Sequence, residues 1–352
     1  MNRKLQLLFF FFLLINFRGF SQIKYSNDFL HIGAGARSLS LSKSVVANSI
    51  NSSAIYWNPA ALIHVKGNEI EIMHASYFSG IANFDQISYV RQRDTTAALG
   101  FMILRFGVDD IMNTTNLIDN QGNLDYNRIE LFSTADYAFF LSYAKRDFFN
   151  GINIGGNLKI VYRHIGDFAK AWGFGFDFGM QKDFGKWKWG IISRDATSTF
   201  NSWIFETGDF QDVYLQTNNE LPENSVEITL PSIQAGIARL FVINNIISGH
   251  IEFDIDAYLD GKRNTLYSNN LFSLNPHLGL EMGLREIVYL RFGAGDLIKE
   301  VDFNNEDYIS LKPNIGLGVN FENLRIDYAL TNLGGQSSGM YSNLFSIIIN
   351  FK

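Results

Sequence analysis

The feature that most constrains this chain is a period-two alternation of polar and apolar residues. It recurs along almost the whole length, and no apolar run beyond residue 21 is long enough to cross a bilayer as a helix. In His250-Ile-Glu252-Phe-Asp254-Ile-Asp256-Ala-Tyr258 the polar residues take the even positions. Successive side chains of a strand point to opposite faces, so one face here is acidic and the other is Ile251, Phe253 and Ile255. Arg325 to Thr331 and His277 to Arg285 repeat the pattern. Segments of roughly 9 to 15 residues with this character number about fourteen, and twelve or sixteen are also compatible with the pattern. They begin near Glu69, Phe84, Thr96, Ala135, Ile152, Trp172, Lys186, Ile228, Ile247, Asn275, Val288, Ser310, Leu324 and Asn343.

A soluble sandwich would alternate too. The length and number of the segments, and an apolar face rich in aromatics (Phe 32 and Tyr 15 in the chain), point instead to lipid on one side. Only helices and closed barrels satisfy every backbone hydrogen bond in a bilayer. The expected fold is therefore all-β, a transmembrane antiparallel β-barrel of about 14 strands with an N-terminal lumenal hatch. Tight turns are expected at Asp147 to Gly151, Asp183 to Gly185, Asn244-Asn245, Glu286 and Glu322-Asn323. Longer connections around 107–132, 197–225, 259–273 and 299–307 are rich in Asn, Asp, Gly and Thr. The last strand, Asn343 to Phe351 before Lys352, resembles a closing strand read by outer-membrane assembly machinery.

The N-terminus has a short basic region (Arg3, Lys4), an apolar run from Leu5 to Ile15 and small residues at Gly19 and Ser21. That is the grammar of an export signal, assigned to 1–21. Residues 22–66 do not alternate and are expected to form a partly helical hatch or plug, leaving 67–352 as the barrel. With no cysteine there is no lipoprotein anchor, thiolate metal ligand or disulfide. Net charge is −6, and loss of the three signal cations Arg3, Lys4 and Arg18 brings it near −9. An acidic chain without Lys/Arg clusters is a poor partner for nucleic acid.

Chemistry-bearing residues are present without a site to match. Gly33-x-Gly35 lacks the preceding strand, helix and later acid of a dinucleotide turn. The histidines at 31, 64, 74, 164, 250 and 277 show no metal-ligand spacing. Glu252, Asp254 and Asp256 suit a wet barrel interior, facing cations such as Arg285, Arg291 or Lys312, better than a hydrolytic pair. No nucleophile is matched to a base. Trp172, Trp187, Trp189 and Trp203 read as interfacial girdle residues, and Phe174, Phe176 and Phe178 as lipid contacts. No enzyme activity, catalytic residue, cofactor or metal is expected.

The N-terminal block carries one specific likeness. Phe29 to Leu39, with Gly33, Gly35, Ala36 and Arg37, followed by Tyr56-Trp57-Asn58-Pro59-Ala60-Ala-Leu62, resembles the PorV/PorQ family. That family is related to FadL-type fatty-acid transporter barrels with an N-terminal hatch. Family members carry glycines after the Arg-x-Leu segment and acids before the Tyr-Trp pair. This chain instead has Ser40, Ser42, Lys43 and Ser44, then Asn48, Asn51, Ser52 and Ser53. The resemblance implies an outer-membrane component of the type IX secretion system of Bacteroidota. Its partners would be the large translocon and exported cargo with C-terminal sorting domains, met by loops around 107–132 and 197–225. The competing expectation is a FadL-like transporter of hydrophobic small molecules; a third, a passive porin, is disfavoured because the N-terminal segment is long enough to obstruct the pore. Oligomeric state is left open.

Overall fold

The computed structural model describes residues 26–118, 121–208, 211, 220–301, 307–332 and 341–351. The export signal expected over 1–21, Lys352, and parts of the expected loop contact surface lie outside the described residues.

Fourteen antiparallel strands close into a barrel. They are β1 (Asn68–Tyr77), β2 (Ala82–Asp94), β3 (Ala97–Asn113), β4 (Glu130–Phe149), β5 (Ile152–Ile165) and β6 (Ala169–Phe184). Then follow β7 in two parts (Trp187–Arg194 and Thr199–Phe205) and β8 in two parts (Ser225–Thr229 and Ser232–Val242). The rest are β9 (Ile247–Tyr258), β10 (Ser273–Leu284), β11 (Val288–Val301), β12 (Asp307–Phe321), β13 (Leu324–Thr331) and β14 (Ser342–Phe351). Each pairs with its successor, and β14 returns to β1 with Ile72 opposite Ile347. Closure leaves no strand edge unpaired, which is what lets a sheet stand in lipid.

Short turns join β2 to β3, β4 to β5, β6 to β7, β8 to β9, β10 to β11 and β12 to β13, and define a turn end. The longer connections gather at the opposite, loop end. Two expected loops are shorter than the sequence suggests: β3 runs on to Asn113, and β7 resumes over Thr199–Phe205. Polar residues such as Asp109 and Asp110 do not end a strand whose neighbour still supplies ladder partners. The wall absorbs them with a register shift between Val108 and Ile111.

The division of β7 and β8 has a local cause. Asp195 and Ser198 take left-handed backbone angles (φ 50° and 61°), which throws Asp195–Ser198 out of the ladder. Opposite them, Leu230-Pro231 interrupts β8, where proline has no N–H to donate.

Outward side chains make an apolar belt that includes Phe101, Phe174, Phe176, Phe178, Phe253, Phe292 and Phe345, all exposed. Inside, residues 26–66 fill the lumen with short helical pieces: a 3₁₀ turn at Asp28–His31, α1 (Ala36–Ser40), α2 (Ala54–Trp57) and a 3₁₀ turn at Pro59–His64. Their apolar side chains, among them Leu39, Ile55, Trp57 and Leu62, pack on Met73, Phe84, Met102, Leu104, Phe140 and Val161 of β1–β5. The alternation leads one to expect a lumen face mostly of charge and glycine; β1–β5 depart from it. In β3 both faces are apolar, Met102 and Leu104 inward and Leu99 and Phe101 outward, so the alternation is silent there.

Elsewhere the wall approaches the segment so closely that a side chain would not fit. A Cβ on Gly155 would lie 2.3 Å from the Pro59 carbonyl carbon, and one on Gly293 would lie 2.4 Å from that of Leu41. Gly155→Val is therefore expected to leave the barrel closed but dislodge 59–60, at an overpacking cost of about 1–3 kcal/mol. Limited proteolysis within residues 26–66 should become faster and Tm should fall. Unchanged cleavage and Tm would contradict the packing.

Candidate functional site

The lumenal segment poses a physical problem that the wall solves. Between its helical pieces its backbone is irregular, and buried N–H and C=O groups without partners are costly. Inward polar side chains of the strands supply those partners. Asp254 Oδ2 accepts the N–H groups of Val45 (3.0 Å) and Val46 (3.1 Å), and Glu252 Oε1 those of Ala47 (2.6 Å) and Asn48 (3.3 Å). Glu69 accepts Ser52 N–H (2.5 Å) and Glu71 accepts Ser53 N–H (3.1 Å). In the other direction Gln181 donates to Ala47 O (2.7 Å), Asn157 to Ile55 O (2.8 Å) and Arg194 to Tyr56 O (2.8 Å).

These contacts correct the expectation that Glu252 and Asp254 face Arg285, Arg291 or Lys312. They face backbone amides, Arg285 sits in a turn, and Asp256 Oδ2 accepts from His277 Nε2 at 3.1 Å. Ser52 adds its hydroxyl, which donates to Glu71 Oε2 (3.2 Å). There the acids come from β1, and the segment brings the donors.

The motif residues tie the two halves of the segment to each other and to the wall. Gly33 and Gly35 have left-handed φ (105° and 80°), and Leu39 and Trp57 fill the space over Gly33. Ala36 N–H donates to Ser346 Oγ (2.9 Å). Trp57 Nε1 donates to Ala34 O (2.6 Å) and Tyr56 OH to Leu30 O, tying the two halves of the motif together. Asn58 Nδ2 reaches Val46 O (2.9 Å) and Met180 O (3.1 Å), and its Oδ1 accepts from Ala60 N–H. Pro59 and Ala60 lie against Gly155. The Arg194 guanidinium stacks 4.2 Å from the Tyr56 ring centroid.

Arg37 opens a largely buried ionic chain. Its Nε and Nη2 meet Glu281 (2.9 and 3.1 Å), Glu281 meets Arg291 (2.6 Å), and Arg291 meets Asp327 (2.8 Å), which also pairs with Arg325 (3.0 Å). Removing one member of such a chain strands a buried charge, which costs about 3–5 kcal/mol. Arg37→Ala should lower stability to chemical denaturant by that amount, read as a shift in unfolding midpoint. Arg128→Ala, at an exposed pair with Asp125, should shift it little. Equal effects would contradict the anchoring role.

Toward the loop end the lumen opens into a vestibule of about 750 Å³. Phe29, Ile32, Leu39, Tyr77, Phe106 and Ile298 give it an apolar side; Lys43, Asp136, Arg163, Arg263, Asp296 and Lys312 give it charge. Most of the charges are paired: Arg163 with Asp136 (2.9 Å), Lys43 with Asp296 (3.5 Å) and Arg263 with Asp260 (2.5 Å). Trp203, expected in the girdle, turns inward here. Its Nε1 donates to Glu227, and the Arg163 guanidinium lies over its ring. Trp172 and Trp187 face outward.

Burial, with the nearby cations Arg263 and Lys43, pushes the His31 imidazole down to about 3. The unfolded chain therefore binds a proton between pH 6.5 and about 3 that the folded chain does not. His31 is expected to add no pH dependence above 6.5 and to reduce stability as pH falls from there to about 3. An NMR titration midpoint near the ordinary histidine value would contradict this.

Sequence reading missed Gly155, Asn157, Gln181 and Arg194 as partners of the segment, and Tyr77 and Phe106 as vestibule residues. The available signal was a lone polar or glycine residue at an inward position of an otherwise aromatic strand. Among the described residues no three His, Asp or Glu side chains converge as a metal site.

Against this geometry the comparisons can be set. The model of an uncharacterised protein family, UPF0164, matches residues 19–177, which span the lumenal segment and the first strands. No curated protein matches the sequence. The toluene transporter TbuX of Ralstonia pickettii superposes with a TM-score of 0.54 at 12% identity, covering 91% of this chain and 99% of that one. The toluene transporter TodX of P. putida gives 0.54 at 13%, with the same coverage. A FadL homologue of Pseudomonas aeruginosa gives 0.52 at 10%, covering 90% and 97%. The chain thus has the fold of FadL-type transporter barrels over nearly its whole length.

Proposed function

We propose that this protein is an outer-membrane transporter that admits hydrophobic or amphipathic small molecules from the outside through the vestibule. The observation that carries this reading is continuity of apolar surface. Ile32, Tyr77 and Phe106 line the vestibule and also pack on the apolar core between residues 26–66 and β1–β5, to which Leu39 belongs. A molecule entering from the loop end meets that face first, and the charged residues opposite hold the water-facing side. In this reading the turn end is periplasmic and the loop end external, as the connection lengths of outer-membrane barrels suggest. Residues 22–66 are the hatch, whose displacement opens the way inward. Barrels of similar fold include toluene transporters and a monoaromatic hydrocarbon channel.

A second reading, a type IX secretion component that escorts cargo to the surface, is favoured by the motif of Gly33–Arg37 and Tyr56–Ala60. Those residues are buried inside the barrel, so cargo recognition would fall to the loops at 114–129 and 206–224.

Uptake of labelled toluene and of a labelled long-chain fatty acid, by cells with and without the protein, tests the first reading. Phe106→Glu, which places a charge on the apolar side, should slow uptake by about tenfold while the barrel still folds. Uptake independent of the protein, with a large translocon or sorting-domain proteins co-purifying with the tagged barrel, would favour secretion.

A further inference from the structure

The lipid-facing wall holds a second concavity, away from the lumen. It has a volume of about 870 Å³ and lies on β2–β6. Two cross-strand rows build it. One runs Arg91, Leu99, Tyr143, Gly156, Phe178, and the next runs Tyr89, Phe101, Leu141, Leu158, Phe176. Large side chains stand at every position of both rows except Gly156, so the floor of the groove is bare backbone.

The bareness is particular to this place. Among the described strands Gly107 and Gly249 also face outward, but the Arg105 guanidinium covers the first and the Phe241 ring the second. A Cβ at Gly156 would meet only the Asp177 carbonyl oxygen, at 3.4 Å. At the turn end of the groove stands Arg91, exposed and without an ion pair among the described residues. Two residues toward the turn end from Tyr143, Lys145 donates to Thr96 Oγ1 (2.9 Å) and adds positive charge to the same rim.

We infer that this groove binds one glycerophospholipid of the periplasmic leaflet, with an acyl chain lying over Gly156 and the phosphate paired with Arg91. The inference rests on the turn end being periplasmic but concerns a surface that the transport path does not use. An apolar trough inside the lipid belt suits a hydrocarbon chain, and a cation at the level of the headgroups suits an anionic phosphate. A second protein would need a broader matching face, whereas the trough is centred on one missing side chain.

Native mass spectrometry of the full chain in a mild detergent tests it, with dioleoylphosphatidylglycerol as the probe and dioleoylglycerol as the matched lipid without phosphate. The wild type should retain one phosphatidylglycerol. Gly156→Leu should reduce retention by about tenfold, and Arg91→Gln by several-fold for phosphatidylglycerol alone. Heat-modifiable migration checks that each variant is folded, and solute uptake should be unchanged in Gly156→Leu. Equal retention by wild type and Gly156→Leu would overturn the inference. So would retention of dioleoylglycerol as strong as that of phosphatidylglycerol, or a second copy of the chain occupying the groove.

Discussion

A backbone that is neither helix nor strand can lie inside a barrel only if something else completes its hydrogen bonds, and the arrangement of this lumen follows from that. Residues 46–48 and 52–53 present amides with no backbone partner in their own segment, and the Val45 N–H is shared between Lys43 O and Asp254. Asp254, Glu252, Glu69 and Glu71 accept them from β9 and β1. A hydrogen bond contributes about 0.5–1.5 kcal/mol net, whereas an orphaned buried amide costs about 1–3 kcal/mol. The charged lumen face is thereby explained without a substrate: it is complementary to a strip of main chain.

The opposite side of the lumen is built differently. Against Met73, Phe84, Met102, Leu104, Phe140 and Val161 of β1–β5 the segment presents Leu39, Ile55, Trp57 and Leu62, and there the contact is apolar packing, beside the polar contacts of Glu69, Glu71 and Asn157. One side fixes register through directional bonds, while the other is a surface that nonpolar molecules can share. The vestibule sits where that apolar side reaches the loop end, which is why a transporter reading follows from the geometry.

Much of the wall was legible in the sequence. All fourteen expected strand starts lie close to observed strands, because one face meets lipid and the other a polar strip, and that contrast prints a period of two. The contrast fails where both faces are apolar, as in β3. It fails again where strands continue past the belt into polar residues, so the connections at 107–132 and 197–225 were drawn too long. The partners of Glu252 and Asp254 were not legible. A strand pattern says which way an acid points but not that an irregular main chain waits there, and cations on other strands were the natural guess. Gly155 and Gly293 were visible as residues, yet their purpose depends on how near the segment comes. The motif at Gly33–Arg37 and Tyr56–Ala60 was legible as a unit, and its halves are tied by Trp57 to Ala34 and Tyr56 to Leu30.

The claim that wall carboxylates hold the lumenal backbone is tested most directly by amide hydrogen exchange, residue by residue, on the folded barrel. The amides of Val45, Val46, Ala47 and Asn48 should be strongly protected. In a Glu252→Ala/Asp254→Ala double variant the protection of Val46, Ala47 and Asn48 should collapse, while that of Val45, which also donates to Lys43 O, and of Ser52 and Ser53, held from β1, persists. Fast exchange at 45–48 in the native protein, or protection indifferent to loss of both acids, would contradict the account.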